Sequence, residues 1–196
     1  MHPALSRRLP ASLAATAFAG LAACASPPMS PMSPMSPMSA PMPFSQDRLP
    51  EAIRVPAGHR VAMETVGTGE ITYECRDRAA GSGQEWAFVG PEAVLADRTG
   101  RRVGRYYGPP ATWESDDGSK LTATQVAVAP AGAGDIPLQL VRANPATGAG
   151  AMTGVSYVQR VATRGGVAPA SPCDAGQRGR RATVKYQADY VFYRAG

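Results

Sequence analysis

Apolar and polar residues alternate in short runs over most of the chain from Glu51 onward. Ile71, Tyr73 and Cys75 alternate with Thr72, Glu74 and Arg76, the pattern of a strand with one buried face. Val184, Tyr186, Ala188, Tyr190 and Phe192 alternate with Lys185, Gln187 and Asp189, which predicts a long final strand. Val155, Tyr157 and Val161 predict another, with Gln159 in phase. Weaker alternations predict strands at 60–66, 85–89, 92–96, 102–107, 121–128 and 136–142. Asp97-Arg98-Thr99-Gly100 reads as a turn between two of them, because glycine accepts a positive φ without steric cost. No window holds an amphipathic helix longer than two turns. Strands separated by Gly- and Pro-rich turns predict an all-β fold over residues 51–196, an antiparallel sandwich or barrel forming a single domain.

The first fifty residues follow different rules. Arg7 and Arg8 precede an uncharged, Ala-rich stretch from Leu9 to Leu21, too short to span a bilayer as a stable helix. The stretch ends in Leu21-Ala22-Ala23-Cys24, which resembles the bacterial lipobox. That resemblance implies a lipoprotein signal peptide over 1–23, cleavage before Cys24, and acyl chains on the Cys24 thiol. Several acyl chains anchor stably, since each buried CH₂ contributes ~0.8 kcal/mol. Ala25 stands where an Asp would retain a Gram-negative lipoprotein in the inner membrane, which points to the outer membrane. The expected address is therefore the cell envelope, on a membrane, by lipid.

Residues 24–50 read as a tether. Pro28-Met29-Ser30 recurs at 31–33, 34–36 and 37–39, a period that favours polyproline II and buries nothing. Fully extended, the segment reaches ~80 Å at ~3.1 Å per residue. Met29, Met32, Met35 and Met38 fall on one face of such a helix. Thioethers are soft ligands for copper(I), so the tract reads either as a metal-scavenging tail or as a replicated repeat with Met as filler.

With Cys24 assigned to lipid, Cys75 and Cys173 are left, and two thiols in an oxidising compartment suggest one disulfide. The alternative is two separate buried thiols. Without Arg7 and Arg8 the mature part carries 18 basic and 15 acidic residues, a net +3. That excess is too small to imply nucleic acid.

The inventory of chemistry is thin. His59 is the one histidine of the mature part, which excludes a Ser-His-Asp triad or a multi-His metal site. It follows Pro56-Ala57-Gly58 and reads as a polar turn residue before the first strand. There is no Gly-x-Ser-x-Gly and no phosphate-cradling loop, and no cofactor is implied. The acidic run Glu114, Asp116, Asp117-Gly118 is the best candidate. Paired carboxylates serve glycoside hydrolysis or hold calcium, and the same residues also make a plain hairpin turn. Trp86, Tyr106, Tyr107 and Trp113 offer aromatic surface, although strand spacing at Trp86 and Phe88 favours core packing there. Tyr107 and Trp113 flank Gly108-Pro109-Pro110, so the stretch from Tyr107 to Gly118 reads as a restricted recognition loop, with Tyr107, Trp113, Glu114, Asp116 and Asp117 as ligand-binding residues.

Several tracts resemble a secreted family catalogued as domain of unknown function 3455. They include Val55-Pro56-Ala57-Gly58-His59, Ile71 to Cys75, Pro109 to Leu121, Gly165-Gly166-Val167-Ala168-Pro169, Cys173-Asp174-Ala175 and Ala188 to Arg194. The resemblance implies an exported β-rich domain and brings no established activity. Tyr73-Glu74-Cys75 is also similar to the opening strand of membrane-bound C-type lysozyme inhibitors. The expectation is a non-enzymatic envelope lipoprotein that binds a wall component or a protein partner. The alternatives are a lysozyme-type inhibitor, and a carbohydrate-acting enzyme that uses Glu114 with Asp116 or Asp117.

Overall fold

The computed structural model describes residues 44–196. Cys24, the leader before it and the Pro-Met-Ser repeats lie outside the described residues. The chain is all-β, and of the two architectures left open it is the barrel. Eight antiparallel strands follow one another in chain order: β1 (His59–Asp77), β2 (Gln84–Ala96), β3 (Arg102–Tyr107), β4 (Thr112–Ser115), β5 (Lys120–Ala129), β6 (Leu138–Ala143), β7 (Val155–Gly165) and β8 (Arg181–Ala195). Each pairs with the next, and β8 returns to pair with β1, which closes the barrel. Closure gives every strand two neighbours, although β2 is paired with β3 only from Glu92 onward.

Strand alternation sorts residues to the two faces. Ile71, Tyr73, Ala93, Leu95, Tyr106, Trp113, Leu121, Val141, Val158 and the β8 set Tyr186, Ala188, Tyr190 and Phe192 fill the interior. Outward positions of β1 carry Thr68, Glu70, Thr72 and Glu74. An apolar inside with a charged outside is the reverse of a lipid-embedded barrel.

The two strands expected at 60–66 and 71–75 are one continuous strand, β1. Gly67 and Gly69, which interrupt the alternation, are there for space. A Cβ on Gly67 would lie 2.6 Å from the Tyr190 ring, and one on Gly69 would collide with the Glu92 carbonyl oxygen. Likewise 85–89 and 92–96 are one strand, β2, with a register shift opposite Thr72 and Tyr73.

A second apolar cluster lies outside the barrel. Ile53 and Val55, joined by Phe44 and Leu49, cover the outward side chains of Leu140, Val161, Val191 and Tyr193. Gln159 lies under this strap with 0% exposure. It donates to the Ile53 carbonyl at 2.6 Å and to Gln46 Oε1 at 3.1 Å, and it accepts from Tyr193 Oη at 2.7 Å. A polar residue in phase with Val161 is thus satisfied in a buried position, as burial requires. Residues 44–50, expected in the tether, belong to the domain, because Phe44, Gln46 and Leu49 pack or bond to the barrel.

Cys75 and Cys173 form the disulfide, tying the end of β1 to the β7–β8 connection across 98 residues. Trp86 stands opposite Cys75 and donates from Nε1 to the Ser171 carbonyl at 2.9 Å, which holds the same connection. His59 opens β1, its Nδ1 2.9 Å from the Pro56 carbonyl oxygen and its ring edge-on to Tyr157.

Candidate binding surface

The stretch from Tyr107 to Gly118 is not one loop. Gly108 to Ala111 form a turn, residues 112–115 are β4, and Asp116 to Gly118 form the turn into β5. Because the middle is a strand, its side chains alternate. Trp113 points inward and is 2% exposed. Its ring stacks on Tyr106 at 4.6 Å and meets Tyr190 edge-on at 5.8 Å. The expectation that Trp113 anchors a ligand at the surface is corrected: two prolines and an acidic turn bracket only four strand residues, and Trp113 fills the barrel. Phe88 departs in the other direction. Expected in the core, it is 55% exposed.

Tyr107 and Glu114 point outward and meet. Tyr107 Oη donates to Glu114 Oε2 at 2.7 Å. Arg105, which pairs with Glu114 across the β3–β4 ladder, donates from Nη2 to Oε1 at 3.2 Å and to Oε2 at 3.1 Å. The same guanidinium lies 4.6 Å from the centre of the Tyr107 ring, a cation–π contact. On the other side, Lys120 pairs with Glu114 across the β4–β5 ladder. The Tyr107 hydroxyl and then the Arg105 guanidinium hold the Glu114 carboxyl below the usual range, while Glu114 pushes the Tyr107 phenol up. A glycosidase acid requires the opposite shift, a carboxyl held protonated.

The other two acids separate. Asp116 pairs with Arg102 at 3.2 Å, with both side chains about half exposed. Asp117 turns away to organise the turn. Its Oδ1 accepts from Ser119 Oγ at 2.6 Å and Ser119 N at 2.8 Å, and its Oδ2 accepts from Ala151 N at 2.7 Å. Those donors, Ser119 first, lower its carboxyl to about 2. Ser119 is itself fully buried, and through these bonds Asp117 organises the β4–β5 turn.

Three adjoining clefts surround Tyr107 and Arg105. One of about 260 Å³ runs between Tyr107, Thr112, Lys120, Thr122 and Thr147. The second, about 230 Å³, is walled by Tyr107, Arg105, Glu92 and Val94. The third, about 270 Å³, holds Arg105, Arg102, Glu114 and Asp116. Tyr107 is shared by the first two, and Arg105 by the last two. Of the residues expected to bind a ligand, the barrel brings Tyr107, Glu114 and Asp116 to this face. Sequence reading passed over Arg102, Arg105 and Lys120. Their signal was outward phase on strands beside Tyr107 and Glu114, which becomes visible only once the register of β3, β4 and β5 is known.

No curated protein and no solved structure matches the chain, so the similarity to lysozyme inhibitors rests on Tyr73-Glu74-Cys75 and a loose likeness at Gly104 to Tyr107 and Trp113. A family model does match, over residues 56–194, from the turn before β1 to the end of β8. The chain belongs to the family described as Protein of unknown function (DUF3455).

Proposed function

We propose that the chain is a non-enzymatic binding domain of the bacterial cell envelope, held on a membrane by lipid at Cys24, that presents the β3–β5 face to a wall glycan or an envelope protein. The observation that carries this reading is the join of the three clefts at Tyr107 and Arg105 on a closed barrel. A half-buried aromatic ring, a guanidinium and the threonines that line the first cleft supply contact area and polar groups on a rigid scaffold, which keeps the ordering cost of binding low. Glu114 serves there as an ionised acceptor that fixes Tyr107 and Arg105, not as an acid.

The reading is tested by sedimenting the mature chain, carrying Cys24→Ser so that no lipid anchor contributes, with purified wall sacculi and with envelope membranes, with and without Tyr107→Ala. Wild-type chain should pellet with one of the two in a saturable way, and Tyr107→Ala should weaken that by roughly 1–3 kcal/mol, as a central aromatic contact does. Equal pelleting of the two proteins would reject the face. Lipidation is tested separately, by acyl labelling that Cys24→Ser should abolish.

A further inference from the structure

The clefts of the β3–β5 face share walls, but their charges are not evenly matched. Glu92, Tyr107, Thr112 and Thr122 are successive partners across β2, β3, β4 and β5, so they form one outward row. Val94, Arg105, Glu114 and Lys120 form the next row in the same way. In the middle of the face each cation has its anion, Arg105 with Glu114 and Arg102 with Asp116.

At the two sides the charges are left over. Glu92 lines the second cleft and Lys120 the first, and neither takes part in the ion pairs of the described residues. The second cleft also holds Arg102 and Arg105, but both are engaged, so its unmatched charge is Glu92. Beyond Glu92, Glu70 on β1 stands opposite Lys185 on β8 and adds no net charge to that wall. Among the residues that line the first cleft, only Lys120 is charged. The face is thus neutral in sum and polarised across its width, negative at β2 and positive at β5.

Tyr107 joins the two sides. It lines both clefts and stands directly opposite Glu92, and its ring is held by Arg105 and Glu114. Thr122 lies two residues from Lys120, on the same face of β5. Its Oγ1 accepts from Asn144 Nδ2 at 2.9 Å, which leaves the Thr122 O–H to donate. An ammonium and a hydroxyl donor suit a carboxylate, and the carboxylate of Glu92 suits an ammonium. Three strand spacings of ~4.8 Å set the β2 and β5 backbones ~14 Å apart. Three extended residues measure ~10 Å, and the Glu92 and Lys120 side chains make up the difference.

We propose, on the reading of this face as the binding surface, that it takes a short peptide with free ends, such as those attached to a wall glycan. The peptide ammonium sits on Glu92, the backbone crosses the Tyr107 ring, and the carboxylate meets Lys120 and Thr122.

Trialanine carries the two charged ends and a backbone and little else, and it is the probe. Its binding to the mature chain carrying Cys24→Ser is read by isothermal calorimetry. It should bind with one site per chain, about ten-fold more tightly than N-acetyl-trialanine or trialanine amide. Dialanine, too short to reach both charges, should be weaker by a similar factor. Glu92→Gln should make trialanine and its acetylated form bind alike, while the preference over the amide persists. Lys120→Gln should do the reverse. Each variant thus keeps discrimination at one end, which a misfolded chain would not. No saturable binding of trialanine, binding indifferent to blocking of either end, or variants that discriminate as wild type does would overturn the proposal. If trialanine fails while pelleting with sacculi or membranes still depends on Tyr107, the peptide is rejected and the face stands. If pelleting is independent of Tyr107 as well, the face itself is rejected.

Discussion

Tyr107 donates a 2.7 Å hydrogen bond to Glu114, seven residues on and one strand over, and thereby fixes both side chains on the outer face of the barrel. The phenol is held up by the carboxylate it bonds, and the carboxylate is held down by the phenol and by Arg105. Glu114→Gln should therefore lower the Tyr107 titration back toward the ordinary tyrosine range, near 10. Spectrophotometric titration of the wild type and the variant, with Tyr107→Phe to identify the tyrosine, checks this. Coincident curves for Glu114→Gln and wild type would show that the bond does not persist in solution.

Trp113 is a core residue, so its loss should be felt in folding. Trp113→Ala should cost ~3–5 kcal/mol, the usual range for removing a large buried aromatic. Denaturant unfolding followed by circular dichroism measures it. A cost below about 1 kcal/mol would mean that the ring is not packed between Tyr106 and Tyr190 as described.

The Cys75–Cys173 bridge closes a loop of 98 residues. On the chain-entropy account a loop of that length contributes up to ~4–5 kcal/mol. The Cys75→Ala, Cys173→Ala double variant should lose a substantial part of that, measured as a lower denaturation midpoint, with a steeper slope because the unbridged unfolded chain is less compact. An unchanged midpoint would place the β7–β8 connection outside the cooperative unit.

Acid should loosen the β4–β5 turn. The Asp117 carboxyl is depressed to about 2 by Ser119 and Ala151, and Glu74 to about 2 by Arg76 and then Arg181. A depressed carboxyl contributes stability that is present above its unfolded value, near 4, and is lost as pH falls through the folded value. Melting temperature should therefore be level above about pH 5 and decline toward pH 2. Asp117→Asn should start lower at neutral pH and decline less steeply, since one of the linked protons is gone. Parallel curves for wild type and Asp117→Asn would contradict the role given to Asp117.

Much of the fold is legible in local pattern. The alternation in 102–107 coincides with β3, and the inward set of β8, Val184 to Phe192, is the one the pattern marks. What local pattern cannot supply is closure. Pairing of β8 with β1 joins residues more than a hundred positions apart, and sandwich and barrel present the same alternation until that pairing is known. Gly67 and Gly69 mimic a turn because their reason for being glycine, the Tyr190 ring and the Glu92 backbone, comes from other strands. The site was half legible for the same cause. Tyr107 and Glu114 attract notice as types, whereas Arg105 and Lys120 matter only through the ladder positions that set them opposite Glu114.

The claim at the centre of this account is that the β3–β5 face around Tyr107 makes the contact with the envelope partner. Photo-crosslinking in living cells tests it most directly. A photoreactive amino acid is placed at Val94, an exposed outward position of β2 beside Arg105, and separately at Arg164, an exposed position on β7. The Val94 position should give discrete adducts, to protein or to wall fragments released by a muramidase. Tyr107→Ala should remove those adducts, and Arg164 should give none of them. The same adducts from both positions, or adducts from Val94 that persist in Tyr107→Ala, would contradict the account.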